Sequence, residues 1–221
     1  MSEYKAKVYY RAQVAQDYDA VRNHSTYRRY KWHREYQVLD KILEQLPSDL
    51  RLLDIPCGTG RFFPLIDEKS MKFMGADISQ DMITQASSRA SSCRNFEGFT
   101  QADAENLPFE DNKFDFILSM RFFHHLPADA VLKILREFRR VSKHGIIMEA
   151  PITQPISRIL MALAGAKRMS WDAENELKCP LFPINKREFL RILRSLNLEL
   201  AVCYSVTWFW GQNKICVLRK L

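Results

Sequence analysis

Glycine and proline are sparse in this 221-residue sequence, at 7 and 9, which excludes collagen-like repeats and low-complexity linkers. No apolar run approaches the ~20 residues that a membrane-spanning helix needs. Stretches such as Phe114 to Met120 and Gly145 to Pro151 fall far short. The first residues, MSEYKAKVYYRAQ, lack the continuous apolar stretch of a secretory leader, so a cytoplasmic location is expected. Cys-x-x-Cys pairs are missing too. The five cysteines, Cys57, Cys93, Cys179, Cys203 and Cys216, are odd in number and scattered, which reads as reduced thiols. His124 and His125 have no partner at ligand spacing, so no metal is expected. What is present, 47% hydrophobic and 27% charged residues, is the composition of one globular domain.

The formal net charge is +7, unevenly spread. Residues 1–36 sum to +4, 37–151 to −3 and 152–221 to +6. A slightly acidic middle is flanked by basic ends, which matters if the ends meet over a shared site; a solvated basic surface is the plainer reading. Short apolar runs alternate with helical patterns. Helices are expected at about 5–20, 28–46, 61–67 and 80–91, and one is marked by Val131, Ile134, Leu135, Phe138 and Val141. Strands are expected at Arg51 to Ile55, Lys72 to Ala76, Phe96 to Gln101, Phe114 to Met120 and Gly145 to Ala150. That order predicts an α/β fold: a doubly wound, mostly parallel seven-stranded sheet. Past Pro151 the pattern changes to a helical piece and a polar stretch. An Asn185/Glu188 capping box then opens a helix, and an antiparallel pair follows at the sheet edge. The expected single domain divides into an N-terminal helical cap (1–47), a core (48–151), a lid insertion (152–185) and a C-terminal helix with edge strands (186–221).

The densest chemical signal is Leu52 to Gly60, LLDIPCGTG, a strand ending in an acid and running into a Gly-x-Gly turn that lets a ligand approach bare backbone. A dinucleotide site is the first competitor. Phe63 stands where its third glycine belongs, and Asp54 faces the place of a pyrophosphate, so a zwitterionic or cationic ligand fits better. Asp77, ending the second strand before Ile78, can accept two ribose hydroxyls. Asp103, with Ala104 after the third strand, can accept from an adenine amine. Each acid alone reads as a cap or turn residue, but three after successive parallel strands share the edge where open α/β sheets bind ligands.

These residues resemble the class I S-adenosylmethionine-dependent methyltransferases, in the branch of the ubiquinone/menaquinone C-methyltransferases. The matching stretches are LLDIPCGTGRF (52–62), GADISQDM (75–82), QADAENLPFEDNKFDFILS (101–119), HHL (124–126) and LREFRRVSKHG (135–145). The resemblance implies a Rossmann-like methyltransferase fold with S-adenosylmethionine as cofactor. Gly58 and Gly60 would pass the methionine part, Asp54 would act near its amino group, directly or through water, and Asp77 would hold the ribose, with Cys57, Thr59 and Ile78 as further cofactor-binding residues. Asp103 and the Ala104 backbone would read the adenine, and Met120 would line the other side. Lys143-His144-Gly145 departs from the family's frequent Pro-Gly-Gly.

Ser119 to His125 contains neither the Asn/Asp-Pro-Pro-Tyr/Phe loop of nucleic-acid amino-methylating enzymes nor a Pro-Cys nucleophile. His124 is a candidate general base, weighed against a local hydrogen-bonding role. Arg28, Arg29 and Arg34, interleaved with aromatics, are candidate substrate cations. Three functions stay open: methyl transfer to an O, N or C nucleophile of a small, anionic molecule; RNA methylation, as of tRNA; and a non-catalytic binding protein with this fold.

Overall fold

The computed structural model describes residues 25–153, 184–206 and 213–221. The expected helix at 5–20 and nearly all of the 152–185 lid lie outside the described residues.

Strand β1 (Arg51–Asp54) has parallel neighbours on both sides, β2 (Lys72–Asp77) and β4 (Phe114–Ser119). Strand β3 (Phe96–Gln101) lies outside β2, and β5 (Ser142–Thr153) outside β4, both parallel. The buried run of β4 behaves as a central parallel strand should, covered on both faces. Strands β7 (Leu198–Ser205) and β8 (Asn213–Lys220) form the expected antiparallel pair. Strand β8 inserts antiparallel beside β5 and leaves β7 outermost. The path is β3-β2-β1-β4-β5-β8-β7, with the short β6 (Ile184–Asn185) beside the end of β5. Strand β5 starts at Ser142, ahead of the expected Gly145, and Gly145 is where β8 comes too near for a side chain: a Cβ there would collide with the Leu218 carbonyl.

Helices α1 (Thr26–Leu43), α2 (Phe63–Glu68) and α3 (Gln80–Ala90) cover one face of the sheet. Helices α4 (Ala128–Val141) and α5 (Lys186–Ser195) cover the other. Capping residues set the starts. Ser25, Ser79 and Asn185 each accept a backbone N–H three residues on, satisfying a donor the helix cannot. The Asn185 side-chain amide also donates to the Glu188 carboxylate, a side-chain pair in place of the reciprocal backbone bond of the expected box. Helix α1 buries Val38, Leu39, Ile42 and Leu43 against Leu52 of β1 and against Ile215 and Val217 of β8. Both Cys203 and Cys216 lie on the α5 face, directly opposed across the β7–β8 pair. Two of the scattered thiols are therefore neighbours.

Candidate active site

Parallel strands deliver their last residues to one edge, and there β1 ends in Asp54 and β2 in Asp77. The turn after β1 is held on all sides. Cys57 N–H donates to the Ala76 carbonyl (2.8 Å), Gly60 N–H to the Cys57 carbonyl (3.0 Å), and Arg89 to the Thr59 carbonyl (2.6 Å). Gly60 has φ +73°, and a Cβ on it would meet the Phe63 ring at 2.8 Å. Phe63 thus fills the space that a third glycine would have left open. Asp77 ties the turn to the next helix, accepting from Gly58 N–H at 2.9 Å and from Ser79 N–H at 3.0 Å.

An open pocket lies over this turn. Asp54, Cys57, Gly58, Thr59 and Asp77 line it from the turn side, Met120 and Arg121 from the end of β4, and Trp32 from α1. Trp32 packs on Phe62 (ring centroids 4.9 Å apart) and carries the Arg61 guanidinium 4.0 Å above its ring. Asp54 and Asp77 are 2% and 1% exposed. Burial pushes the Asp54 carboxyl well above the usual range, and neighbouring Asp77 pushes it further. Burial raises Asp77 as well, against the pull of the N–H groups of Ser79, Gly58 and Ile78. Burial and both acids also push up the Cys57 thiol, which makes it a poor nucleophile.

Arg121 belongs to a group of four charges built around two buried glutamates. Arg121 donates from Nε (2.7 Å) and a terminal nitrogen to Oε2 of Glu35 on α1, while its backbone N–H donates to Oε2 of Glu149 on β5 (3.0 Å). Lys31 Nζ lies 3.3 Å from Glu35 and 3.5 Å from Glu149. The two glutamates are 0% and 1% exposed. Burial and the Glu149 charge raise Glu35. Burial acts the same way on Glu149, but Lys31 and Arg121 together pull it down.

Residues 52–145, which run from β1 into β5 and carry both aspartates, match the family model described as a methyltransferase domain. Over that stretch the chain is similar to methyltransferase domains. The chain is 33% identical over 130 residues to a tRNA (carboxymethyluridine(34)-5-O)-methyltransferase of Arabidopsis thaliana, covering 58% of this chain and 29% of that protein. It is 29% identical over 135 residues to the demethylmenaquinone methyltransferase of Staphylococcus epidermidis, covering 60% and 54%. The chain therefore spans about half, or less, of the length of these relatives. In fold it is similar to the magnesium protoporphyrin IX methyltransferase of Synechocystis solved with bound S-adenosylhomocysteine, with a TM-score of 0.71 at 14% identity over 89% of this chain and 88% of that one.

Of the residues singled out in the sequence, Asp54, Cys57, Gly58, Thr59, Asp77 and Met120 meet in one pocket. Gly60 shapes the turn without lining it, and Ile78 follows Asp77 outside the lining. Asp103 and Ala104 sit past β3 in a tight turn, where the Asp103 carboxylate accepts from Glu105 N–H; they are not among the lining residues either. His124 is half-buried in a 3-10 turn (Phe123–His125) beyond β4, away from the lining. None of the three arginines lines the pocket. Arg29 is exposed, Arg34 donates to Gln37 (2.8 Å), and Arg28 is half-buried, at helical spacing from Trp32 and Glu35. Trp32, Arg61, Phe62, Arg121, Glu35 and Glu149 went unrecognised in the sequence. The one signal was Glu35, a charge set among the apolar positions of α1.

Proposed function

We propose that the protein transfers a methyl group from S-adenosylmethionine to an O, N or C nucleophile of a small, anionic molecule. The observation that carries this reading is Asp54: it lines the pocket, is 2% exposed, and accepts no hydrogen bond from the described residues. A buried carboxylate left so is costly unless a ligand brings the donor. An amino acid's ammonium group is such a donor. Asp77 has lone pairs beyond those facing Gly58 and Ser79, and ribose hydroxyls suit them. The bare turn at Gly58 admits a ligand against the backbone, and Trp32, Phe62 and Met120 give it apolar walls.

Bound there, S-adenosylmethionine supplies an electrophilic methyl group, so this chain needs no covalent chemistry of its own. Its residues bind, orient and exclude water. The basic flanking segments carry the anionic preference, as does Arg28, which shares the α1 face of Trp32. The test is calorimetry with S-adenosylhomocysteine and NAD. Micromolar binding of the former supports the reading, and tight binding of NAD alone overturns it. Labelled S-adenosylmethionine with fractionated cell extract then identifies the acceptor.

A second reading, methylation of RNA, is favoured by the Arabidopsis relative and by α1, whose Tyr27 and Tyr30 are 63% and 46% exposed beside the exposed Arg29. Steep weakening of acceptor binding with salt would select RNA, since several phosphates release several counterions and one small anion does not.

A further inference from the structure

The four-charge group between α1 and the ends of β4 and β5 is not explained by stability. Burying two carboxylates is costly, and an apolar quartet of similar volume would hold a helix to a sheet as well or better. Nor do the acids belong to the pocket, whose lining includes neither Glu35 nor Glu149. What they do hold is Arg121, which lines the pocket directly after Met120 and has φ +55°, a left-handed conformation unfavourable for an L side chain. Such a residue persists where its surroundings over-determine it, and these sites collect at functional centres. Arg121 is fixed twice, its amide by Glu149 from β5 and its guanidinium by Glu35 from α1. Lys31 bridges the two acids from the turn of α1 that carries Trp32. The same charges therefore set both the Met120–Arg121 wall and the Trp32 wall.

We propose that Glu35 and Glu149 are positioning residues for the cofactor pocket: through Arg121 and Lys31 they clamp α1 onto the ends of β4 and β5, so that Trp32 and Met120 enclose one ligand. The proposal rests on the cofactor reading above and adds to it two residues that touch no ligand. It requires that Glu35 and Arg121 act as one unit in ligand binding, although only Arg121 lines the pocket.

The experiment is a double-mutant cycle in the full chain, with S-adenosylhomocysteine affinity measured by calorimetry for wild type, Glu35→Ala, Arg121→Ala and the pair. Each single change should weaken binding by about fivefold or more, and the pair no further than the worse single, the non-additivity of residues in one network. Glu149→Gln keeps an oxygen for the Arg121 amide and should retain more affinity than Glu149→Ala at equal melting temperature. Additive losses, or a Glu35→Ala protein that melts earlier yet binds as wild type, would overturn the proposal. If the alanine variants do not fold, Glu35→Gln and Glu149→Gln give the same comparison. Amide hydrogen exchange at Arg121 in the ligand-free protein is a second readout. It should speed up in Glu35→Gln, and unchanged exchange there refutes the clamp even if no ligand is bound. Wild-type protein that ignores S-adenosylhomocysteine while its Arg121 amide shows the expected coupling would sink the cofactor reading and leave the clamp standing.

Discussion

Changing Asp54 to Asn removes a charge from the pocket floor and leaves its shape nearly intact. In the ligand-free protein the carboxyl is held well above its ordinary range by burial and by Asp77, so at neutral pH it must either take up a proton or sit charged among apolar atoms. An ammonium brought by a ligand reverses that balance, because an adjacent positive charge favours the carboxylate. Binding therefore expels a proton. Affinity for S-adenosylhomocysteine should rise with pH from the ordinary carboxylate range up to the raised value, by up to about tenfold per pH unit for one proton, and level off above it. Measurements stay at or below about pH 7.5 to avoid the ligand's own amino group. In Asp54→Asn the slope should vanish, and the loss of a charge-assisted hydrogen bond, about 2 kcal/mol, should weaken binding about 30-fold on the plateau. Linkage works in the opposite direction for the empty protein. A carboxyl raised in the folded state makes stability fall as pH rises toward its folded value, so Asp54→Asn should melt later than wild type at neutral pH. Calorimetry in buffers of different ionisation enthalpy counts the proton directly. A wild-type affinity flat in pH, with no proton released, would refute the reasoning, whatever the variant does.

The remaining expectations are more local. Asp77→Ala should cost at least ~1.5 kcal/mol of S-adenosylhomocysteine affinity. Because Asp77 also accepts from Gly58 and Ser79, the ligand-free variant should melt earlier too; an unchanged affinity removes Asp77 from the site. Gly145→Ala forces a methyl group against the Leu218 carbonyl and should destabilise the fold by about 1–3 kcal/mol, so a melting temperature equal to wild type would contradict the β5–β8 register. Cys203 and Cys216 are opposed in the antiparallel pair, where Cα separations of roughly 4.5–5.5 Å fall inside the disulfide range of roughly 4.4–6.8 Å. Mild hydrogen peroxide should take both thiols together into one disulfide, while Cys57 stays unreacted; peptide mapping that finds Cys57 modified first would contradict its raised pKa.

The sheet was legible because each core strand is an apolar run of strand length between turn residues, as Phe114 to Ser119 shows. Asp54 and Asp77 were legible for the same reason: a strand's last residue points to the edge whatever the rest of the chain does. The reading failed where a partner came from far away in sequence. Arg121 and Glu35 are separated by 86 positions, and no local pattern in Ser119-Met120-Arg121 announces a buried guanidinium. On α1, Arg28, Arg29 and Arg34 stand out as a cluster although none lines the pocket, whereas the fully buried Glu35 is marked only as a charge among apolar positions. Asp103 follows its strand as Asp54 and Asp77 follow theirs, and its carboxylate accepts from Glu105 N–H in the local turn, outside the pocket lining.

Helix α1 rests on β8, with Val38 and Ile42 packed among Ile215 and Val217 and Lys41 Nζ 5.5 Å from the centre of the Tyr204 ring. This bears on the order in which the molecule is made. The other lining residues lie between positions 54 and 121, on strands that can pair as they emerge from the ribosome. The Trp32 wall has to wait. Its helix is synthesised first, yet its seat is completed only when residues near 215 arrive, and closing so long a loop is slow because the entropy is lost before the contacts form. During synthesis the part of the α1 stripe that faces Ile215 and Val217 therefore stays uncovered until β8 arrives. A chain interrupted before β8 would contain every described residue that lines the pocket and still lack part of the seat on which the Trp32 helix rests.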